Sequence, residues 1–273
     1  MPPIEKAPDI SVIVPAKNEE VRICRLFEDL KAQDTYASVL GRRLTLETIV
    51  ADAGSDSTAE VARHYGAVVV EGGFPSAGRN RGAAKSKGRV IYFVDADVRL
   101  PSPGFISRTY NKMIELGLDI GGVDILPLLD EINGKPLMLA VAALYSFTNW
   151  YVRLHAQKKH KLAQGGCIIA NRKAFEALRG FNEEVYWGED SELAKRASCT
   201  GCRFGLLDSG SFVYASPRNL SHDSWKSFAR YIRNAKRLDA LRRQGVEITQ
   251  PRYAAVTGSS SYFLPRSPVS THR

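Results

Sequence analysis

The sequence has 273 residues, 44% hydrophobic and 25% charged, which excludes a disordered or low-complexity chain and leaves one large domain or two closely packed halves. A formal charge of +9 favours polyanionic partners such as nucleotides or anionic lipid headgroups; no basic stretch interleaved with aromatics and no zinc-finger spacing point to nucleic acid. The N-terminal MPPIEKAPDI runs into a strand pattern without a basic region, apolar stretch and cleavage site, which reads as a cytoplasmic protein.

In chain order, DISVIVP at 9–15 is a β-branched run ended by proline, and 16–33 has helical apolar spacing through Val21, Ile23, Leu26, Phe27 and Leu30. LETIVA at 46–51 predicts a second strand, DAGSDST a turn, and TAEVARHY at 58–65 a helix that Gly66 can stop. AVVVEG at 67–72 follows as a short strand, RNRGAAKSKG at 79–88 as a helix, and RVIYFVDAD at 89–97 as a buried strand finishing in two carboxylates. Alternation of this kind predicts an α/β fold with a mostly parallel sheet and flanking helices, its ligand site beyond the carboxyl ends of the strands. Asp52 and the Asp95/Asp97 pair fall at such ends.

Residues 103–116 predict another helix and 118–125 another strand. The stretch 136–155, PLMLAVAALYSFTNWYVRLH, is the most apolar in the chain, yet Ser146, Thr148 and Asn149 make it a packed or interfacial helix rather than a bilayer span. Beyond Gln250 the sequence is Ser/Pro-punctuated without periodicity and reads as a tail of low order. Cys24, Cys167, Cys199 and Cys202 lack the spacing of a complete zinc site and read as reduced thiols.

Two carboxylates two residues apart on an extended strand end would point the same way, a hard-oxygen pair suited to Mg²⁺ or Mn²⁺ completed by diphosphate oxygens. Glu19 and Glu20 follow Pro15 in a loop or first helical turn, where the helix dipole also favours acids. Asp52 is suited to hydrogen-bonding a base or ribose, or to capping its turn. Arg79 and Arg81 offer guanidinium forks for phosphate or a base edge. The run Gln164, Gly165, Gly166 lets backbone approach a ligand closely or makes an ordinary turn. Trp187 precedes Glu189, Asp190 and Glu192, which are a general-base candidate set or an acidic helix start.

The ordered set PAKNEE, DAGSDST, GRNRGAAKSKGRVIYFVDADV and GGCIIANRKAFEALRGFNEEVYWGEDSELAKR resembles the family 2 glycosyltransferases of the GT-A fold over roughly residues 9–218. The resemblance implies a Rossmann-like sheet in a single domain of two abutting halves. Residues 1–125 would bind the nucleotide sugar, 126–250 would bind acceptor and carry catalysis, and 251–273 would be the tail. It implies a metal-dependent, inverting transfer from a nucleoside-diphosphate sugar, UDP favoured, to a saccharide or lipid-linked acceptor.

In that scheme Asp97 leads the Mn²⁺ or Mg²⁺ site, Asp95 faces ribose or diphosphate, and the late residues Arg218 and His222 complete the metal or diphosphate site, His222 as a metal ligand. Asp52 contacts the nucleobase, with Pro15, Glu19, Arg79 and Gly166 lining the donor pocket. Asp190 is the base, with Glu189 in reserve. Two departures stand out: DAGSDST is one residue shorter than the usual second motif, leaving Asp56 without a role, and Lys17 replaces a more common aromatic or small residue. A nucleotidyltransferase, or a binding protein that has lost turnover, is the alternative. The basic, apolar stretch 136–161 is read as a peripheral contact with the inner face of the membrane.

Overall fold

Strand β6 (Val90–Val94) is buried on both sides, Val90, Tyr92 and Val94 facing one apolar cluster and Ile91 and Phe93 another, as a period of two requires of a central strand. The computed structural model describes residues 7–132, 134–156 and 162–217, with parts of 233–249. Around β6 a seven-stranded sheet runs in the order β11-β8-β10-β6-β1-β4-β5. Its other members are β1 (Ile10–Ala16), β4 (Leu46–Asp52), β5 (Val68–Glu71), β8 (Ile120–Gly122), β10 (Cys167–Asn171) and β11 (Phe204–Leu206). All pairings are parallel except those of β10, which runs against both β6 and β8.

Helices α1 (Glu20–Lys31), α2 (Thr58–His64) and α4 (Phe105–Glu115) cover one face through Ile23, Leu26, Ala62, Phe105 and Ile106. On the other face lie α3 (Pro75–Lys85), α6 (Arg172–Ala177) and α7 (Glu189–Cys199), contributing Ala83, Phe175, Leu193 and Ala197. Phe93 stacks there between Phe175 and Phe181, at 4.9 and 5.0 Å between ring centroids. A hairpin of β2 (Tyr36–Ala37) and β3 (Arg42–Arg43) precedes β4, and a second sheet joins β7 (Val98–Arg99), β12 (Phe212–Ala215) and β9 (Asp124–Pro127).

Three details differ from the sequence reading. The predicted helix at 79–88 begins at Pro75, in the first-turn position where the missing N–H costs nothing. Its Gly78 and Gly82 face the sheet, where an added methyl at Gly78 would sit 3.4 Å from the Ala51 Cβ and one at Gly82 would collide with Ile13. That close approach is what brings Arg79 to the carboxyl edge. The predicted strand 118–125 is two strands in two sheets, β8 and β9, divided at Val123. The pair Asp95/Asp97 is not extended: β6 stops at Val94, and a turn closed by the Val98 amide on the Asp95 carbonyl at 3.1 Å carries both carboxylates.

The apolar stretch forms α5 (Lys135–Ala156), pinned to β9 by Arg153, which contacts Asp124 at 2.9 Å, and by Asn149, whose amide donates to the Ile125 carbonyl at 2.8 Å. Among the described residues no helix is long and apolar enough to cross a membrane.

Candidate active site

At the carboxyl edge the β1 and β4 loops lock together. Asn18 takes a left-handed conformation (φ 56°) and its Oδ1 accepts the Ser55 amide at 2.9 Å. Gly54 is required beside it, since an added methyl would lie 2.7 Å from the Asn18 nitrogen. Asp52, the last residue of β4, accepts the Gly54 amide at 2.9 Å, and burial raises its carboxyl above the usual range.

Asp56, left without a role by the shortened motif, has a structural one. Its Oδ1 accepts the Thr58 amide and hydroxyl at 3.0 and 2.6 Å, and its Oδ2 accepts the Glu20 amide at 3.2 Å, so one carboxylate serves the starts of α1 and α2. Burial pushes that carboxyl up, the Thr58 and backbone hydrogen bonds prevail, and it titrates below the usual range. Glu19 is buried against the same junction, its amide donating to Thr58 Oγ1 at 2.9 Å. Pro15 lies in β1 opposite Ala51.

The second cluster is organised by one guanidinium. Arg79 is buried, with Nη2 on Asp95 Oδ1 at 2.7 Å, Nη1 on Glu189 Oε1 at 2.8 Å, and Asp190 Oδ1 3.8 Å from Nη1. Its Cζ stands 5.3 Å from the centre of the Phe181 ring. Burial opposes its charge, but Asp95, Asp190 and Glu189 hold it more firmly protonated than a free arginine. The fork read as suited to phosphate or a base edge has both arms on carboxylates, so Arg79 joins the acidic turn after β6 to the first turn of α7. Arg81 does not take part: it turns to the Gly72 carbonyl, with Glu71 3.8 Å away.

The antiparallel direction of β10 completes the site. Cys167 pairs with Val94, so Gln164, Gly165 and Gly166, which precede β10, arrive beside Asp95. The Gly166 amide donates to Asp95 Oδ2 at 3.2 Å and its carbonyl accepts the Asp95 amide at 3.1 Å. A methyl added at Gly165 would sit 3.0 Å from Asp190 Oδ2 and 3.8 Å from Asp95 Oδ2, so both carboxylates face the bare backbone of one residue. Gly166 needs its left-handed φ of 91°.

Sequence reasoning missed the residues that hold this loop. Ser191 Oγ donates to the Ala163 carbonyl at 3.0 Å, tying the loop to α7, and Gln164 Nε2 donates to Asn149 Oδ1 at 2.8 Å, tying it to α5. Asn80 likewise clamps Phe181, accepting its amide and donating to its carbonyl, both at 2.9 Å. Gln164 stands in the Gly-rich run and Asn149 interrupts the apolar one, so the sequence marks both residues but not their pairing, and nothing in it marks Ser191.

The structure therefore brings Asp95, Glu189, Asp190, Arg79 and Gly166 together, with Asp97 on the same turn as Asp95. Asp52 and Pro15 stand on the neighbouring strands of that edge, and Glu19 stands at the start of α1. Trp187 is half-buried just ahead of α7, and His222 lies outside the described residues. Cys167 is buried, which pushes its thiol up, and no described cysteine is in a disulfide.

The donor set is hard oxygen and carries excess negative charge, with three carboxylates around one guanidinium. Such a set fits a divalent cation of the Mg²⁺ or Mn²⁺ kind. Both Asp95 oxygens are engaged, by Arg79 and by Gly166, and Asp97 stands two residues on in the same turn. Among the described residues no group of three or more His, Cys, Asp or Glu could by itself hold a metal ion.

An α/β sheet with one reversed strand and an acidic turn at its carboxyl edge defines the GT-A class, and solved structures agree. A mannosyltransferase from Pyrobaculum calidifontis, in complex with GDP-Man and Mn²⁺, aligns over 95% of this chain and 70% of its own at 19% identity, with a TM-score of 0.59. S. aureus TarS 1–349 with UDP-GlcNAc aligns over 92% of this chain and 71% of its own at 17% identity, with a TM-score of 0.56. Residues 11–179 match Glycosyl transferase family 2, and the chain belongs to that family.

Relatives include the glycosyltransferase AglE of Haloferax volcanii, 26% identical over 71% of this chain. A 4,4'-diaponeurosporenoate glycosyltransferase of Staphylococcus haemolyticus is 35% identical over 64% of it. The alignments span 62% and 48% of those two proteins.

Proposed function

We propose that the chain transfers a sugar from a nucleoside-diphosphate sugar to an acceptor hydroxyl, with inversion at the anomeric carbon. The observation that carries this reading is the Arg79 cluster, which holds one acidic turn and one buried carboxylate, Asp190, on either side of Gly165. Asp52 hydrogen-bonds the nucleobase from the end of β4, with Pro15 and Glu19 shaping the wall beside it. Mn²⁺ or Mg²⁺, when bound at Asp97, supplies positive charge to the leaving diphosphate.

Asp190 accepts the proton of the acceptor hydroxyl as its oxygen attacks the anomeric carbon from the face opposite the diphosphate. The bond from that carbon to the diphosphate oxygen breaks and its electron pair departs with the nucleotide. Arg79 keeps Asp190 and Asp95 in place, and Glu189 holds the second arm of Arg79. Gly165 leaves room for the reacting atoms, and the Gly166 amide fixes the orientation of Asp95 beside them. The acceptor is a saccharide or lipid-linked hydroxyl.

The neighbouring structures bind GDP-Man and UDP-GlcNAc, and a UDP sugar is the donor we put first. The test is a thermal-shift panel of UDP, GDP, CDP and dTDP sugars with and without Mn²⁺, since a ligand selective for the folded state raises the melting temperature. A Mn²⁺-dependent shift with one nucleotide, and product formation abolished by EDTA and restored by Mn²⁺ or Mg²⁺, is the expected result. A folded protein that no nucleotide sugar shifts would refute the reading. Release of pyrophosphate from a nucleoside triphosphate would replace it with nucleotidyl transfer.

A further inference from the structure

Helix α5 has two faces of different character. Inward, Leu137, Val141, Asn149 and Val152 are buried. Outward, Leu139, Phe147, Trp150 and Leu154 are 71, 58, 57 and 43% exposed, and Ala143 is exposed between them. Their spacing of three and four residues places all five on one stripe, about 23 Å long at 1.5 Å per residue. Phe147 and Trp150 touch each other, with ring centroids 5.6 Å apart, so the aromatics form one patch. Isolated exposed apolar residues need no explanation, but a continuous stripe does.

We infer that this stripe is a docking surface for an anionic membrane. Charge chooses the occupant: the 22 residues of α5 contain no Asp or Glu, and Lys135 stands at its start, while Arg153 in its last turn is taken up by Asp124 on the inner side. In the sequence Lys158, Lys159 and Lys161 follow within five residues of its end, and the whole chain carries +9. An apolar stripe rich in aromatics and bounded by cations matches the boundary between headgroups and acyl chains, where a helix of this kind lies flat with its apolar side sunk by about 5–10 Å. A second copy of this chain would bring like charges together across the same face.

The inward face makes the contact relevant to the site. Asn149 accepts from Gln164, the neighbour of Gly165, and Arg153 is paired with Asp124 of β9. A membrane held against the outer side of α5 thus stands at a fixed position relative to the Gly165 loop and Asp190. The inference goes beyond the transferase reading and does not depend on it.

The test is sedimentation of the full chain with vesicles of equal parts phosphatidylglycerol and phosphatidylcholine at low salt, against phosphatidylcholine alone. Binding to the anionic vesicles is expected, weakened roughly tenfold or more in a Phe147→Ser, Trp150→Ser double variant. It should be unchanged in Ile114→Ser, which removes an exposed apolar residue from α4. Nucleotide-sugar thermal shifts without vesicles report separately on the transferase site and should be unaffected. Absence of vesicle binding, or equal binding by the double variant, overturns the inference. So does a double variant that instead loses a dimer in solution, or melts at a lower temperature with vesicle binding unchanged, because the occupant is then a second copy or the chain's own segment.

Discussion

The two ends of the central sheet each carry an arginine–carboxylate cluster, with opposite balance. At the amino end Asp9 receives both arms of Arg42 at 2.7 Å, Arg89 at 2.6 Å and the Thr45 amide at 3.0 Å. One carboxylate there faces two guanidiniums, and its hydrogen-bonding capacity is filled. At the carboxyl end one buried guanidinium faces Asp95, Glu189 and Asp190. The first arrangement is complete as folded, whereas in the second, among the described residues, the carboxylates outnumber the guanidinium, a balance that would suit a ligand carrying a cation. Identical residue types at the two ends of the same strands therefore do different things, and net local charge separates structure from chemistry.

The sharpest way to break this comparison is Arg79→Ala. It leaves three carboxylates uncompensated around a buried gap and should destabilise the fold by about 3–5 kcal/mol, measured by urea denaturation. An effect no larger than that of Arg42→Ala would mean that Arg79 does not organise the cluster. Asp190→Asn keeps shape and most of the pairing, since Asp95 and Glu189 still hold Arg79. Turnover should fall by about 10²–10⁴-fold with the nucleotide-dependent thermal shift intact. Near-native turnover would remove the base assignment.

Asp9→Asn should cost about 2–3 kcal/mol of stability and leave turnover unchanged, the reverse of Asp190→Asn. Its pH dependence is signed. The Arg42 hydrogen bonds, against burial and with Thr45 and Arg89, hold the Asp9 carboxyl well below the usual range. Its contribution is therefore fully present above the unfolded value of about 3.9 and is lost as pH falls below it. The variant should show a shallower loss of stability through that acid range, and equal slopes would show that Asp9 is not the group responsible. The smallest effect belongs to Gly165→Ala. The added methyl would meet Asp190 Oδ2 at 3.0 Å and push that carboxylate aside by a few tenths of an ångström, so turnover should drop roughly tenfold with little change in melting temperature.

Much of this was legible in the chain. Strand runs such as SVIVP and VIYFV have no helical reading once proline and aspartate end them, so β1, β4 and β6 and the acidic ends they carry followed from local pattern. Asp52, Asp95 and Asp190 were singled out because acids after apolar strands, in a fixed order with Gly-rich turns, form a family pattern. Arg79 was singled out without these partners: a fork that matches phosphate or a base edge also matches carboxylate, and only the fold says which carboxylates lie within 3 Å. The same limit applied to Asp95 and Asp97, where an extended strand and a turn are written in the same letters.

What the sequence determined by itself was the set of short-range instructions: which segments extend, which coil, where glycine and proline stop them, and that acids gather at strand ends. Those depend on neighbours within a few positions, which a linear pattern records. Tertiary structure decided that β10 runs backwards, placing Gly165 and Gly166 beside Asp95, and that α3 lies close enough on Ile13 for Arg79 to reach α7. It also decided that α5 shows its aromatics to the outside while Asn149 holds Gln164 within. Each joins residues at least 15 positions apart, through contacts whose partners are fixed only when helices and sheet have packed.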